Sequence, residues 1–481
     1  MNKRNIFYIV LTILLLYNCS APHELYVDSG SNKLTRKINN VIKSSDLTMN
    51  IGIKVVSLRS GKTLYSLNSE HLFTPASNNK LYTASAVLHY LSPQFQFKTS
   101  VWVDSTYKDS SHVPRLVLVG GGDPDLYLPK LELIAHKISN DIQSIDTLII
   151  DNTLFDNTHF GPGWMWDEGS DWYFAHVNAM TFNDNCVDIS VTPSDVGDKP
   201  IVSVNPPTNY VQIVNKAVTV EDTVDFKELA IERRWWGNSN VIDISGELMK
   251  NADEETHYSN VDNPALFTGT VFVDLLNQVD IKVKTDVTMG LKSATMVPIY
   301  TSYSKPIIFS LTNFLEISDN LSGELYVKMI GHTVTKQQGN WDNGMFAIKT
   351  FLNNEVKIDT TRIRMVDGSG LSRYNLTSPD QLTQLLKYMY LNDPYSTKFL
   401  SALPKGGWDG TSINPIEVDI LENSIRAKTG SLAGVSCLSG YAFTKTGEPL
   451  VFSIMMNGYV GDPMPYRKLQ DNICKILVNQ K

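Results

Sequence analysis

A chain of 481 residues is too long for one simple hydrophobic core, so two or three domains are expected. Its apolar content of 42% and charged content of 19% are those of an ordinary globular protein. A net charge of -8 argues against a nucleic-acid binder, which would carry basic patches.

The chain opens on MNKRNIFYIVLTILLLYNCSAPHE, which reads as an export segment. Lys3 and Arg4 precede an apolar run over 6–16. That run is short for a bilayer span but suits the core of a secretory signal. Two cleavage readings compete. Leu16, Tyr17, Asn18 and Cys19 resemble a bacterial lipobox, with Cys19 as the lipidated first residue, although Tyr17 and Asn18 replace the usual small residues. The other is ordinary cleavage after the small pair Ser20 and Ala21. A retained anchor is a third reading. All three put the body outside the cytoplasm, in the periplasm or cell envelope of a bacterium.

MNIGIKVVSLRSGKTLYSLN, over 49–68, predicts two strands around a turn at 59–62. TPASNNKLYTASAVL, over 74–88, predicts a helix with Pro75 in its first turn and Leu81, Ala84 and Leu88 as a buried stripe. From 94 to 300, short strand-like runs such as FKTSVWVDS, RLVLVGGG and DTLIIDNT alternate with turns, the pattern of a β-rich insertion. From 305 to 420 the pattern turns helical. SPDQLTQLLKYMYL has Ser378 as N-cap and Pro379 at the first helical position. NSIRAKTGSLAGVSCLSGYAFTKTGEPLVFSIMMNG predicts three antiparallel strands, with turns near Gly430 and at 445–448. Two strands from the front and three from the back suit one sheet. The expected division is a signal segment over 1–21, a discontinuous domain made of 22–93 and 301–481, and an inserted β-rich domain over 94–300.

Beside Cys19 stand Cys186, Cys437 and Cys474, too few for a disulfide scaffold. There is no CxxC and no His cluster at metal spacing, so neither zinc nor another metal or cofactor is expected. The nine histidines stand singly and read as surface or satisfied core residues.

Ser77 and Lys80 form an SxxK pair, weak evidence alone, since Ser105/Lys108 and Ser302/Lys305 fit it too. Only Ser77 opens a predicted helix with an apolar stripe. Residues three apart on a helix share a face, so the amine can approach the hydroxyl. Ser318, Asp319 and Asn320 sit at the mouth of a second predicted helix, and Lys428, Thr429 and Gly430 on a strand. Ser-Lys, Ser-x-Asn and Lys-Thr-Gly, in this order, are the motif set of penicillin-binding proteins and class A β-lactamases. A second Lys-Thr-Gly, at Lys445, Thr446 and Gly447, falls between two strands and reads as a hairpin turn.

With these motifs and the stretches LVGGGDPDL (118–126), GPGWMWDE (161–168), NAMTFNDN (178–185), MVDGSGLSRYNL (365–376) and LPKGGWDGT (403–411), the chain resembles the class C low-molecular-mass penicillin-binding proteins. These are secreted D-alanyl-D-alanine carboxypeptidases and endopeptidases. The resemblance spans nearly the whole mature chain. It implies an α+β fold: a serine penicillin-recognising (β-lactamase/transpeptidase-like) domain, an antiparallel sheet flanked by helices, with a large β-rich insertion between the first two motifs.

Serine is a poor nucleophile until a neighbour takes its proton. Lys80 can do so only when neutral. Burial, with Lys428 as a second cation, would lower its ordinary pKa of about 10.4. The resemblance implies Ser77 as nucleophile, Lys80 as general base, Ser318 as proton relay, and Lys428 as its electrostatic support. Asn320 would hold the substrate amide and position Lys80. The N–H groups of Ser77 and Ser431 would form the oxyanion hole, and Lys428, Thr429 and Ser431 would bind the terminal carboxylate beside Gly430. Asp167 and Glu168 read as a solvated acidic pair or as the subsite for a diamino acid's free amine. DGSGLSR and GGGDPDL read as turns that glycine geometry demands. The expected partners are peptidoglycan stem peptides, with β-lactams as inhibitors. A β-lactamase and a catalytically silent envelope-binding protein are the alternatives.

Overall fold

The computed structural model describes residues 33–222, 225–393, 395–406 and 424–480. The export segment with Cys19, and residues 407–411 of LPKGGWDGT, lie outside the described residues.

One five-stranded sheet carries both ends of the chain. Its order is Ile425–Leu432, Val435–Phe443, Pro449–Asn457, Asn50–Ser57, Thr63–Leu67, with every neighbour antiparallel. The first and last parts of the sequence meet in register from Asn50 opposite Asn457 to Ser57 opposite Leu450. Side chains alternate between two covered faces. Val55, Phe452, Ile454 and Ala442 pack with the helices Lys33–Ser45 and Met464–Val478. Val56, Val451, Met455 and Tyr441 face a second helical layer that includes Lys80–Tyr90, Asn320–Thr335, Trp341–Phe351 and Pro379–Leu391. With both faces covered, the strand Pro449–Asn457 is buried at all but its end residues, which explains its continuous apolar run.

Two local expectations change. Gly430 lies inside a strand opposite Cys437, and the turn falls at Ala433 and Gly434 instead. Gly434 takes a φ of +71°, the left-handed region that glycine enters freely. The helix Lys80–Tyr90 is buried all round from Lys80 to Leu88, so its sequence shows no true stripe.

The segment between the first two motifs leaves and returns at one place. Its first strand, Lys98–Asp104, pairs antiparallel with its last, Met296–Tyr303. A long excursion with adjacent ends disturbs the host sheet little. His112–Val119 and Ser144–Asp151 run parallel, joined through the crossover helix Leu128–Ile138. A second helix, Pro264–Gln278, packs into the same core. The segment is therefore rich in strands but not purely β. Further sheets are built from Glu255–Asn260, Cys186–Thr192 and Ile201–Asn205, and from Ala230–Arg233, Val241–Ser245 and Gln212–Asn215. Buried Lys328 fastens the segment to the helical layer, donating to Asp156 Oδ1 and the Thr158 carbonyl, each at 2.6 Å. Cys186, Cys437 and Cys474 are free and buried.

Candidate active site

Ser77 stands in a 3-10 turn, Ala76–Asn79, that runs directly into the helix Lys80–Tyr90. Pro75 precedes this turn rather than opening the α-helix. Ala76 takes a φ of +47°, a strained conformation for a residue with a Cβ. The surroundings hold it there. Asn78 Nδ2 donates to the Lys428 carbonyl at 2.8 Å, and Asn79 Nδ2 to the Asp367 carbonyl at 2.8 Å. Two glycines let neighbouring backbone close on the turn. A Cβ on Gly370 would collide with the Ala76 carbonyl oxygen, and one on Gly430 would lie 2.6 Å from the Pro75 oxygen. The glycine of Lys-Thr-Gly thus serves close packing against the serine turn.

Lys80 is fully buried. Its Nζ lies 3.1 Å from Ser77 Oγ, 2.6 Å from Asn320 Oδ1 and 2.9 Å from the Ser369 carbonyl oxygen. Two of these partners can only accept. A neutral amine that donates to both turns its lone pair toward the Ser77 hydroxyl. The pKa of Lys80 is lowered to about 8, and burial is the cause. Asp319, Glu324 and Asp367 oppose the lowering.

The carbonyl of Ser369 is set by a loop held from two sides. Glu324, buried on the helix Asn320–Thr335, accepts from the N–H groups of Gly368 and Ser369 at 2.9 and 2.8 Å and from Trp341 Nε1 at 2.7 Å. Asp367 accepts from Gly370 and Ser372 N–H, Asn375 Nδ2 and Trp164 Nε1. Burial, with Asp367 beside it, raises Glu324 to about 7. DGSG is therefore more than a turn, since it supplies an acceptor to the lysine.

The structure places Asp319 as the N-cap of the helix Asn320–Thr335, accepting from Leu321 and Ser322 N–H. Ser318 precedes it with a φ of +64°, half-buried. Asn320 bridges the site: its oxygen takes the Lys80 hydrogen bond and its Nδ2 donates to the Tyr173 carbonyl at 3.1 Å. Lys428 is buried on the strand Ile425–Leu432, followed by half-buried Thr429, buried Gly430 and exposed Ser431. Ser431 Oγ accepts from Arg467 Nη2 at 3.3 Å.

Asp167 and Glu168 lie in the 3-10 turn Trp166–Glu168. Asp167 is exposed. Glu168 Oε2 accepts from the Tyr173 hydroxyl at 3.0 Å, which ties the pair to Asn320 through one residue. The decoys separate cleanly. Ser105 starts an exposed 3-10 turn, Ser302 lies in a strand, and Lys445 to Gly447 form the hairpin turn, with Gly447 N–H bonded to the Thr444 carbonyl at 2.8 Å. Asn78, Asn79, Ser369, Glu324, Asp367, Tyr173 and Arg467 join the site unforeseen. The one usable signal for them was Glu324, which with Lys328 is a charged residue inside the mainly apolar run of SGELYVKMIG.

The profile of the D-Ala-D-Ala carboxypeptidase 3 (S13) family matches residues 34–480. The chain belongs to this family. It is therefore a serine peptidase with the fold of a class C penicillin-binding protein. It is 33% identical to a D-alanyl-D-alanine carboxypeptidase of Actinomadura sp. (strain R39), over 86% of this chain and 78% of that one. It is 26% identical to the D-alanyl-D-alanine carboxypeptidase DacB of Haemophilus influenzae, over 87% and 88% of the two chains. The crystal structure of penicillin binding protein 4 from Haemophilus influenzae superposes with a TM-score of 0.79 at 22% identity, covering 92% of this chain and 99% of that one. The S13 match runs across the segment between the first two motifs.

Proposed function

We propose that the chain is a serine D-Ala-D-Ala carboxypeptidase and DD-endopeptidase of peptidoglycan stem peptides, working through an acyl-enzyme at Ser77. The observation that carries this reading is Lys80: buried, and 3.1 Å from Ser77 Oγ with two fixed acceptors on its other sides. Ser77 Oγ attacks the carbonyl carbon of the penultimate D-Ala and passes its proton to Lys80 Nζ. The N–H groups of Ser77 and Ser431 stabilise the oxyanion. The C–N bond breaks, and Ser318 relays the proton to the leaving amine, either free D-Ala or the amine of a cross-link. Water then attacks the Ser77 ester and gives a proton to Lys80. The ester C–O bond breaks, and the proton returns to Ser77 Oγ. Asn320 holds the substrate amide and Lys80 together. Lys428, Thr429 and Ser431 bind the substrate carboxylate, with Gly430 giving the strand room. Arg467 adds a cation beside Ser431.

The test pairs turnover of a D-Ala-D-Ala peptide with hydrolysis of penicillin. The expected result is peptide turnover with slow release of the penicilloyl group. Fast penicillin hydrolysis without peptide turnover makes it a β-lactamase, and neither activity makes it a silent binding protein.

The amine of a diamino acid in the stem peptide meets Asp167 and Glu168. Neutralising both, as Asp167→Asn with Glu168→Gln, is expected to lower kcat/KM for a substrate with a free side-chain amine by about 10- to 100-fold. That corresponds to a lost charge-assisted contact of roughly 1.5–3 kcal/mol. The acetylated substrate should change little, and equal losses on both reject the assignment.

The domain division follows the same reading, with 22–93 and 301–481 as the acyltransferase unit and 94–300 as the insertion. The body is exported to the cell envelope, anchored by lipid on Cys19. N-terminal mass analysis of the exported protein is expected to show an acylated Cys19. A mature start at residue 20 or beyond rules the anchor out.

A further inference from the structure

Three tryptophans of the segment between the first two motifs stand together, and none has a part in the chemistry above. Trp166 lies in the turn Trp166–Glu168, and Trp235 and Trp236 lie in the turn Trp235–Gly237. The rings of Trp166 and Trp235 are 5.9 Å apart, tilted by 41°, and those of Trp235 and Trp236 are 5.8 Å apart, tilted by 77°. Gly169, at a φ of +67°, brings the backbone to 3.4 Å from Trp235 Nε1, measured at the Cβ it lacks. Trp235 is thus seated, while Trp166 and Trp236 remain 77% and 71% exposed. A single exposed apolar side chain needs no explanation, but three contiguous indoles mark a binding surface.

Their surroundings select the occupant. Asp167, Glu232, Arg234 and Asn238, neighbours of the tryptophans in sequence, are exposed. The Arg234 guanidinium is already paired with Asp243 through Nε and Nη2, at 2.6 and 2.9 Å. Carboxylates here repel nucleic-acid phosphate and anionic lipid headgroups. Three indoles are also smaller than the roughly 800 Å² per partner of a stable protein interface. A sugar ring fits both features. Its C–H face stacks on an indole, and its hydroxyl and amide rim finds carboxylates and amides to bond.

Continuity with the catalytic site names the source of that sugar. The turn of Trp166 reaches the lysine through three hydrogen bonds: Tyr173 to Glu168 (3.0 Å), Asn320 to the Tyr173 carbonyl (3.1 Å), and Lys80 to Asn320 (2.6 Å). A stem peptide of five residues spans at most roughly 17 Å when extended. Its far end is joined to the sugar strand of peptidoglycan. We propose that Trp166, Trp235 and Trp236 bind the aminosugar strand of the substrate, so that the enzyme favours glycan-linked stem peptides over free ones. This rests on the proposed peptidoglycan reading. Holding the sugar makes delivery of the attached peptide intramolecular, which raises its effective concentration.

The test compares wild type with Trp166→Ala/Trp236→Ala, which leaves seated Trp235 in place. The substrates are a free D-Ala-D-Ala pentapeptide and the same peptide linked to a sugar oligomer. The double variant is expected to lose about tenfold or more in kcat/KM on the linked substrate and less than about twofold on the free peptide. Oligomers of N-acetylated aminosugars without peptide should quench the tryptophan fluorescence of wild type but not of the variant. Trp166→Tyr/Trp236→Tyr, which keeps the aromatic faces, should retain most of the preference. An unchanged penicillin acylation rate shows that the variant site is folded. Equal losses on both substrates, or no binding of peptide-free sugar oligomers by wild type, overturns the proposal. If wild type is neither acylated by penicillin nor active on the free peptide, the catalytic reading fails, while sugar binding still decides the role of the tryptophans.

Discussion

Replacing Ser77 with alanine is expected to abolish penicillin labelling and to cut peptidase turnover by on the order of 10⁴-fold or more, because no other group can form the acyl-enzyme. Penicillin offers a strained amide with a carboxylate beside it, the same two features as the end of a stem peptide. It should occupy the same subsite at Lys428, Thr429 and Ser431. Opening the ring leaves an ester on Ser77, and the rest of the drug stays tethered where water must approach, so the adduct should be long-lived. The alanine variant should fold. Ser77 is only half-buried, its turn is held by Asn78 and Asn79, and Lys80 keeps the acceptors on Asn320 and Ser369. Lys445→Ala, in the second Lys-Thr-Gly, changes a side chain in a hairpin turn and keeps the backbone bond from Lys445 N–H to the Val478 carbonyl, so it should leave labelling intact. Mass spectrometry of penicillin-treated protein decides the matter: an adduct on any peptide other than the one containing Ser77 overturns the assignment.

The sheet was legible because its strands obey local rules. The run 49–68 alternates around a turn, and the C-terminal strands are long and apolar. Their pairing across the whole chain came from counting strands at both ends. The turn at Ala433 and Gly434 was misplaced because Gly430 is the more familiar punctuation, and only tertiary contact reveals its use. Its missing Cβ faces the Pro75 oxygen. Of the helices between the first two motifs, Leu128–Ile138 does carry an amphipathic stripe, with Leu131, Ile134, Ala135 and Ile138 buried, and was missed all the same; a second was hidden by its composition. Pro264–Gln278 is apolar on most of its surface, so it lacks the amphipathic pattern that separates a helix from a buried strand.

The candidate set was legible because Ser77 and Lys80, and Ser318 and Asn320, each stand at the start of a helix and Lys428 to Gly430 on a strand, where spacing fixes direction. What sequence could not give is the surroundings of Lys80. Its acceptors come from residues 240 and 289 positions away. The loop that carries the Ser369 carbonyl depends on Glu324, whose partners are the N–H groups of Gly368 and Ser369. No local pattern encodes a contact between a helix and a backbone amide more than forty residues on. The tryptophans share this limit, since Trp166 and Trp235 are neighbours only after the insertion has folded.

Acylation should also follow the protonation of Lys80. A lysine lowered to about 8 is neutral in about one molecule in ten at pH 7 and in about nine in ten at pH 9. Only the neutral amine can take the Ser77 proton, so the acylation rate by penicillin should rise with pH, about tenfold between pH 7 and pH 9, and level off above. Penicillin is a convenient probe because its acyl-enzyme accumulates; its ring nitrogen takes the proton that Ser77 gave to Lys80, so the step starts from the neutral amine. Lys80→Ala should cost about 10²–10⁴-fold and remove the rise. The neighbours allow a sharper check. Asp319 is the first of the carboxylates that hold the lysine's pKa up. Asp319→Asn keeps a good helix N-cap but removes that negative charge. The lysine should then lose its proton more easily, and the rising limb should move to lower pH. A rate that stays flat from pH 6 to pH 9, a rise that survives in Lys80→Ala, or a limb that moves to higher pH in Asp319→Asn would each show that Lys80 is not the base.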